Sequence, residues 1–389
     1  MFALKGPRAM VAVAALVAIT TISGCSKGPA PTNSSADASA EVPAAVAGAL
    51  AEYSGQPSFV APGEPIDISS LRGKKIFDIP AASNPFIQDI STTMEEVAGK
   101  AGMVYTRYDN QSTVSQWIQG MNQAISSRQD IIVLNGSPDP RSLQPQLRAA
   151  KDAGIPVLVT HFHDNTMPPP PACEGCVDVT ATVNAPLSDV AKVAADWMIK
   201  DSGGQANVLI VGGSDIFSSP GTIESAQNEF AAQCPDCSTT VVNLPVSDWN
   251  TKTQSVVQSA LQANPTVNYI YPLYDAMVTG AIPAVRTLAK TGQVKIVSYN
   301  GSPFALDEIR ESDGSLVAMD VGEDTRAVGY ANMDQAFRVL LGQPPVAQNT
   351  PIRIWDSTNV AEAGSPAKVG EGYGDAVVTG YQELWGLPS

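Results

Sequence analysis

Polar and aromatic side chains recur in this chain wherever a short apolar run ends. The positions are Asn84-Pro85-Phe86, Asn135-Gly136-Ser137, His161-Phe162-His163-Asp164, Gly213-Ser214-Asp215, Ser247-Asp248-Trp249-Asn250, Tyr274-Asp275 and Asn300-Gly301-Ser302. Amides, hydroxyls and carboxylates hydrogen-bond hydroxyl groups. Aromatic faces stack on the apolar C–H face of a sugar. That chemistry suits a polyol better than a lipid or an ion.

Each residue also has a plainer role to weigh. Asn84 can cap the helix that follows it, and Asn300 can simply make a turn. Phe86, at a helix start after Asn-Pro, and Trp249, just after a strand, are assigned to a cleft rather than to the core. Phe162 fits either. Trp117 lies on the apolar stripe of its helix and is assigned to the core. His161 and His163 are the chain's two histidines, and on a regular strand they would share one face. A metal would need a third ligand at clear spacing, and none stands out. His161 is therefore expected to meet solute and His163 to sit in a polar loop, with no metal and no cofactor.

The elements that must position these residues alternate. Strands are expected at residues 75–80, 103–108, 130–134, 155–160, 207–211, 239–244, 268–272 and 295–299. Helices are expected at 85–100, 112–127, 141–153, 187–200, 222–232, 251–263, 276–290 and 303–311. The helix at 85–100 shows the pattern well, with Ile87, Ile90, Met94 and Val97 on one face at spacings of three and four. The strands are continuous apolar runs, as in sheets covered on both faces. Repeated strand–helix units imply parallel sheets with right-handed crossovers. The rhythm restarts after Asn184, so two similar α/β lobes are expected, and in such sheets ligands bind beyond the carboxyl ends of the strands.

The ends of the chain read differently. Lys5 and Arg8 precede an apolar stretch from Ala9 to Ser23, too short for a membrane-spanning helix of about 20 residues. Ile22-Ser23-Gly24-Cys25 resembles a bacterial lipobox, which makes residues 1–24 a lipoprotein signal peptide and Cys25 the lipidated N-terminus. Residues 25–73 read as a tether, and 44–53 as a possible short helix within it. The remaining body is too large for one core, which again favours two lobes. A net charge of −15 with no basic patch excludes nucleic acid as a partner. The other four cysteines form two close pairs, Cys173/Cys176 and Cys234/Cys237. A four-thiolate zinc site, redox motifs and a cross-link between the pairs are all conceivable. In an oxidising extracytoplasmic compartment, a disulfide within each pair is the plainest reading.

Ser83-Asn84-Pro85-Phe86, Gly154-Ile-Pro-Val157, Asp275-Ala-Met-Val-Thr-Gly280 and Tyr299-Asn300-Gly301-Ser302-Pro303 together resemble the ribose- and galactose-type periplasmic binding proteins. That fold is shared with the ligand domains of LacI-type repressors. The resemblance covers about residues 74 to 355. It implies two Rossmann-like lobes joined by three crossings and closing like a hinged trap. The lobes are expected at 74–183 plus about 324–350, and at 184–323 plus about 351–360, with 361–389 a tail packed on one of them. Carrying the family's site over places Asn84 and Phe86 on the first-lobe lip. His161 and Phe162 stand where an Asp-Arg pair is usual, and Glu224 stands near a usual arginine. Trp249 matches a stacking aromatic, Tyr274 and Asp275 an Asn-Asp pair, and Asn300 an aspartate. Gly322 or Glu323 falls at a glutamine position. Both ring-gripping arginines are thus replaced, so a linear polyol, a modified sugar or even an amine suits as well as an aldopentose.

The implied function is capture of a small polyhydroxylated solute for an ABC transporter permease, outside the cell membrane and held to it by lipid. The alternative is a sensor presenting its ligand to a membrane receptor. An enzyme is not expected, since no nucleophile–base–acid set and no G-x-S-x-G elbow is present.

Overall fold

The structure, a computed structural model, describes residues 43–387 other than residue 137. Cys25 and the export signal lie outside the described residues.

The first sheet holds β1 (Lys75–Pro80), β2 (Val104–Arg107), β3 (Ile131–Asn135), β4 (Val157–Asp164) and β5 (Ala181–Ala185), in the order β2-β1-β3-β4-β5 and parallel throughout. The second holds β6 (Asn207–Gly213), β7 (Ser238–Leu244), β8 (Tyr269–Pro272), β9 (Lys295–Asn300), β10 (Val317–Glu323) and β11 (Ile352–Asp356), in the order β11-β10-β9-β8-β6-β7. Only β11 runs antiparallel to its neighbour. The helices are α1 (Ala44–Tyr53), α2 (Pro85–Lys100), α3 (Val114–Ser126), α4 (Gln144–Asp152), α5 (Leu187–Asp201) and α6 (Ser219–Gln233). They continue with α7 (Trp249–Ala263), α8 (Val278–Thr287), α9 (Pro303–Ser312), α10 (Thr325–Leu340) and α11 (Ala376–Leu384).

The alternation of strand side chains builds a core on each side of the first sheet. Ile131 and Val133 join one with Ile87, Ile90, Met94 and Val97 of α2. Ile132 and Leu134 join the other with Met121 of α3 and Leu147 of α4. A third core surrounds the second sheet. Asn84 caps α2 by accepting from the Ile87 amide at 3.0 Å.

Three strands and two helices escape the periodicity reading: β5, β10, β11, α10 and α11. α10 is the instructive case. Its buried faces carry Asn332, Asp334, Gln335 and Arg338 as well as apolar residues. Arg338 donates to Asp334 at 2.8 Å inside the protein, so no clean apolar stripe survives in the sequence.

The expected tether is corrected from residue 44 onward. Val46 and Leu50 of α1 are buried in the second-sheet core. Ile66, Ile68 and Leu71 are buried in the α2 core of the first sheet. The C-terminal segment packs on the first lobe, as expected: Val377, Tyr381, Leu384 and Trp385 fill the same α2 core. Trp385 stacks on Tyr330 at 5.4 Å, and its Nε1 donates to Asp334 at 2.8 Å. The chain passes between the lobes after β5, after β10 and before β11. The segments between α1 and Ile66 and between β11 and α11 add two passages to the three that the resemblance implied.

Candidate functional site

The two sheets meet at Glu323, the last residue of β10. Its Oε2 accepts the Tyr299 hydroxyl of β9 and lies 2.9 Å from Nε2 of His161, on β4 of the other sheet. Burial, and after it the neighbouring Glu323, push the Tyr299 phenol well above its ordinary range, so it remains a donor. Glu323 is 1% exposed. His161 sits at φ +59°, where the β4–β5 register shifts. That break turns His161 to Glu323, while His163 turns away and places Nε2 2.8 Å from the Glu174 carbonyl. The two histidines therefore do not act together as the strand alternation implied.

The Phe86 ring lies 5.5 Å from the His161 ring. With Asn300, Ser302, Glu323 and Tyr373 it lines a space of about 10 Å³, the room of one water. Tyr373 enters from the supposed tail. Its hydroxyl accepts from Trp355 Nε1 at 2.9 Å, and it packs so close to Gly322 that a Cβ there would collide with it.

Asn300 and Gly301 turn sharply, at φ 139° and 71°. Two buried carboxyls hold that turn. Gly301 donates its amide to Asp320 at 2.8 Å, and Ser302 donates its amide to Asp275 at 2.8 Å. Ser298 adds its hydroxyl to Asp275 at 2.7 Å. Burial raises Asp275, and burial with the adjacent Asp275 raises Asp320 well above the carboxylate range. Burial and proximity thus disfavour charging both carboxyls together.

The other expected site residues scatter more. Asp275 is a support beneath Asn300, 1% exposed, rather than a wall of the cleft. Trp249 is 7% exposed in the second-sheet core and donates Nε1 to the Leu244 carbonyl. It stacks on Tyr274 at 5.3 Å, which in turn lies 6.4 Å from Tyr299, so both stand behind the Glu323 cluster. Glu224 is exposed on α6, whose buried residues Thr222, Ala226 and Phe230 face the core. Asn84 stays at its helix cap. Phe162 is buried and stacks at 4.7 Å on Phe217, between β6 and α6.

Phe217 is a contact that the sequence did not signal. Arg141 covers its ring at 4.5 Å and is itself held by Asp139 and Glu174. Glu174 lies in the loop closed by Cys173–Cys176; Cys234 bonds Cys237 in the same local way. His163, Cys173 and Cys176 gather within 4.8 Å, but the two sulfurs are bonded to each other and offer no thiolate to a metal. Glu323, which the resemblance had placed with Gly322 near a site glutamine, closes the strand run that begins at Val317. Tyr373 lies among glycines far downstream and gives no such signal.

A family model described as a periplasmic binding protein domain matches residues 76–344. The ribose import binding protein of Salmonella typhimurium is 24% identical over 265 residues, covering 68% of this chain and 84% of that one. Among solved structures, an ABC transporter solute binding protein from Agrobacterium vitis bound with alpha-D-tagatopyranose superposes with a TM-score of 0.66 at 17% identity, over 74% of this chain and 96% of that one. Another from the same organism, with bound allitol, gives 0.63 at 18%, over 75% and 98%. The likeness to these two is one of fold.

Proposed function

Because the chain belongs to the periplasmic binding protein domain family, we propose that it captures a small polyhydroxylated solute between its lobes and delivers it to an ABC transporter permease. The observation that carries this reading is the meeting of His161, on one sheet, with Tyr299 and Glu323 near the strand ends of the other. Around them, Phe86 offers a ring, and Asn300 and Ser302 offer an amide and a hydroxyl. Such a wall of rings and planar polar groups recognises hydroxyls on a carbon skeleton. The similar proteins named above are a ribose import protein and two solute binding proteins bound with a ketohexose and a sugar alcohol, which agrees with that chemistry. A space of about 10 Å³ is far smaller than a sugar, so the solute enters when the lobes part and is sealed in when they close.

In this reading Cys25 carries lipid, and residues before α1 tether the body outside the membrane. A thermal-shift screen of pentoses, hexoses, tetritols and pentitols tests the proposal, since a ligand that binds only the folded protein raises its melting temperature. At least one is expected to do so with saturable dose dependence. A flat response across all four classes would refute the reading.

A further inference from the structure

We infer that the solute carries a protonated amine beside its hydroxyls, as an amino sugar or amino polyol does, and that Glu323 Oε1 receives it. The inference rests on the hydroxylated-solute reading above and narrows it.

Glu323 is 1% exposed and lines this space. Its Oε2 is occupied by Tyr299 and His161. Its Oε1 is buried without a hydrogen-bond partner among the described residues. A buried acceptor left in that state is destabilising, so a solute that supplies a donor there gains more than one that does not. His161 Nδ1 is also buried without a partner. Glu323 Oε1 lacks a donor. An ammonium brings three donors and no acceptor, whereas a hydroxyl brings one donor together with lone pairs of its own.

Charge points the same way. The lining includes Asp89 and Glu323 and, among the described residues, no lysine or arginine. The guanidinium of Arg326, next to the lining residue Thr325, is committed to Asp324, Asp375 and the Gly370 and Gly374 carbonyls. A sugar acid would meet like charge, and an ammonium would meet a charge-assisted acceptor. Phe86, on the same wall, supplies an aromatic ring to a cation.

The test is calorimetry on the full chain with matched trios of five and six carbons: the neutral alditol, its 1-amino-1-deoxy counterpart and the N-acetylated amine. The amine is expected to bind about tenfold or more tightly than the other two, the scale of one charge-assisted bond. In Glu323→Gln that gap should shrink to about twofold. Equal affinity across a trio in the wild-type protein would overturn the inference and leave the hydroxylated-solute reading intact. A preference undiminished in Glu323→Gln would also overturn it. Should that variant fail to fold, the comparison with the acetylated amine on the wild type decides alone. Binding by no member of either trio or of the thermal-shift screen would overturn both readings.

Discussion

His161 and Glu323 lie 162 positions apart in sequence, yet their side chains meet at 2.9 Å. His161 lies at the register break within β4 of the first sheet and Glu323 ends β10 of the second, so the contact ties the lobes together at the point where solute is proposed to bind. Tyr299 shares the same carboxylate oxygen, and the three form one polar knot between the lobes.

Replacing His161 by Ala should leave the lobes folded and weaken solute binding by about tenfold or more. The variant leaves Glu323 buried with one partner fewer, a loss of roughly 1–3 kcal/mol. Calorimetry with the best ligand of the screen reads the change directly. An affinity within twofold of wild type would place the binding surface elsewhere.

Phe217→Ala should open the molecule. Its ring is clasped by Phe162 and Arg141 from the other lobe, contacts worth about 0.5–2 kcal/mol each. Solution X-ray scattering should show a larger radius of gyration without ligand, and affinity should fall about three- to thirtyfold. A scattering curve and an affinity both identical to wild type would show that the clasp does not govern closure.

Asp196 supplies a pH dependence. Burial first, and the charge of Glu229 next, raise this α5 carboxyl to about 7. Its folded pKa lies above its unfolded value, so the folded state binds the extra proton between them. Stability from this group is present at low pH and is lost as pH rises through about 7. The Asp196→Asn variant should therefore lose less melting temperature than wild type between about pH 5.5 and pH 8.5. Parallel melting curves for the two proteins across that window would contradict the assignment.

Gly322→Ala should damage stability and binding together. A Cβ there would press on the Tyr373 hydroxyl and come within 2.6 Å of the Trp355 indole. Overpacking of this kind typically destabilises by about 1–3 kcal/mol, visible as a lower denaturation midpoint. The double variant Gly322→Ala/Tyr373→Phe should regain part of the loss. No recovery would mean that the strain lies on Trp355 instead.

Local sequence determined much of this protein. The stripe of Ile87, Ile90, Met94 and Val97, the Asn84 cap and the apolar strand runs each depend on neighbours within a few positions. Those neighbours are set by helix and strand periods, so the parallel two-lobed architecture could be read without coordinates. A place at a strand end, however, does not decide where a side chain points. Trp249 and Asp275 occupy such places and are turned into the second lobe, because Leu244 and the Asn300–Ser302 turn offer them partners there. His161 reaches the cleft only because a left-handed residue breaks the β4 alternation. Glu323 and Tyr373 reach it only because residues beyond 316 return to the second sheet and then cross back to α2. Periodicity is a property of adjacent residues, and it carries no information about which distant segments share a core. That pairing, and with it the composition of the cleft, was decided by tertiary packing.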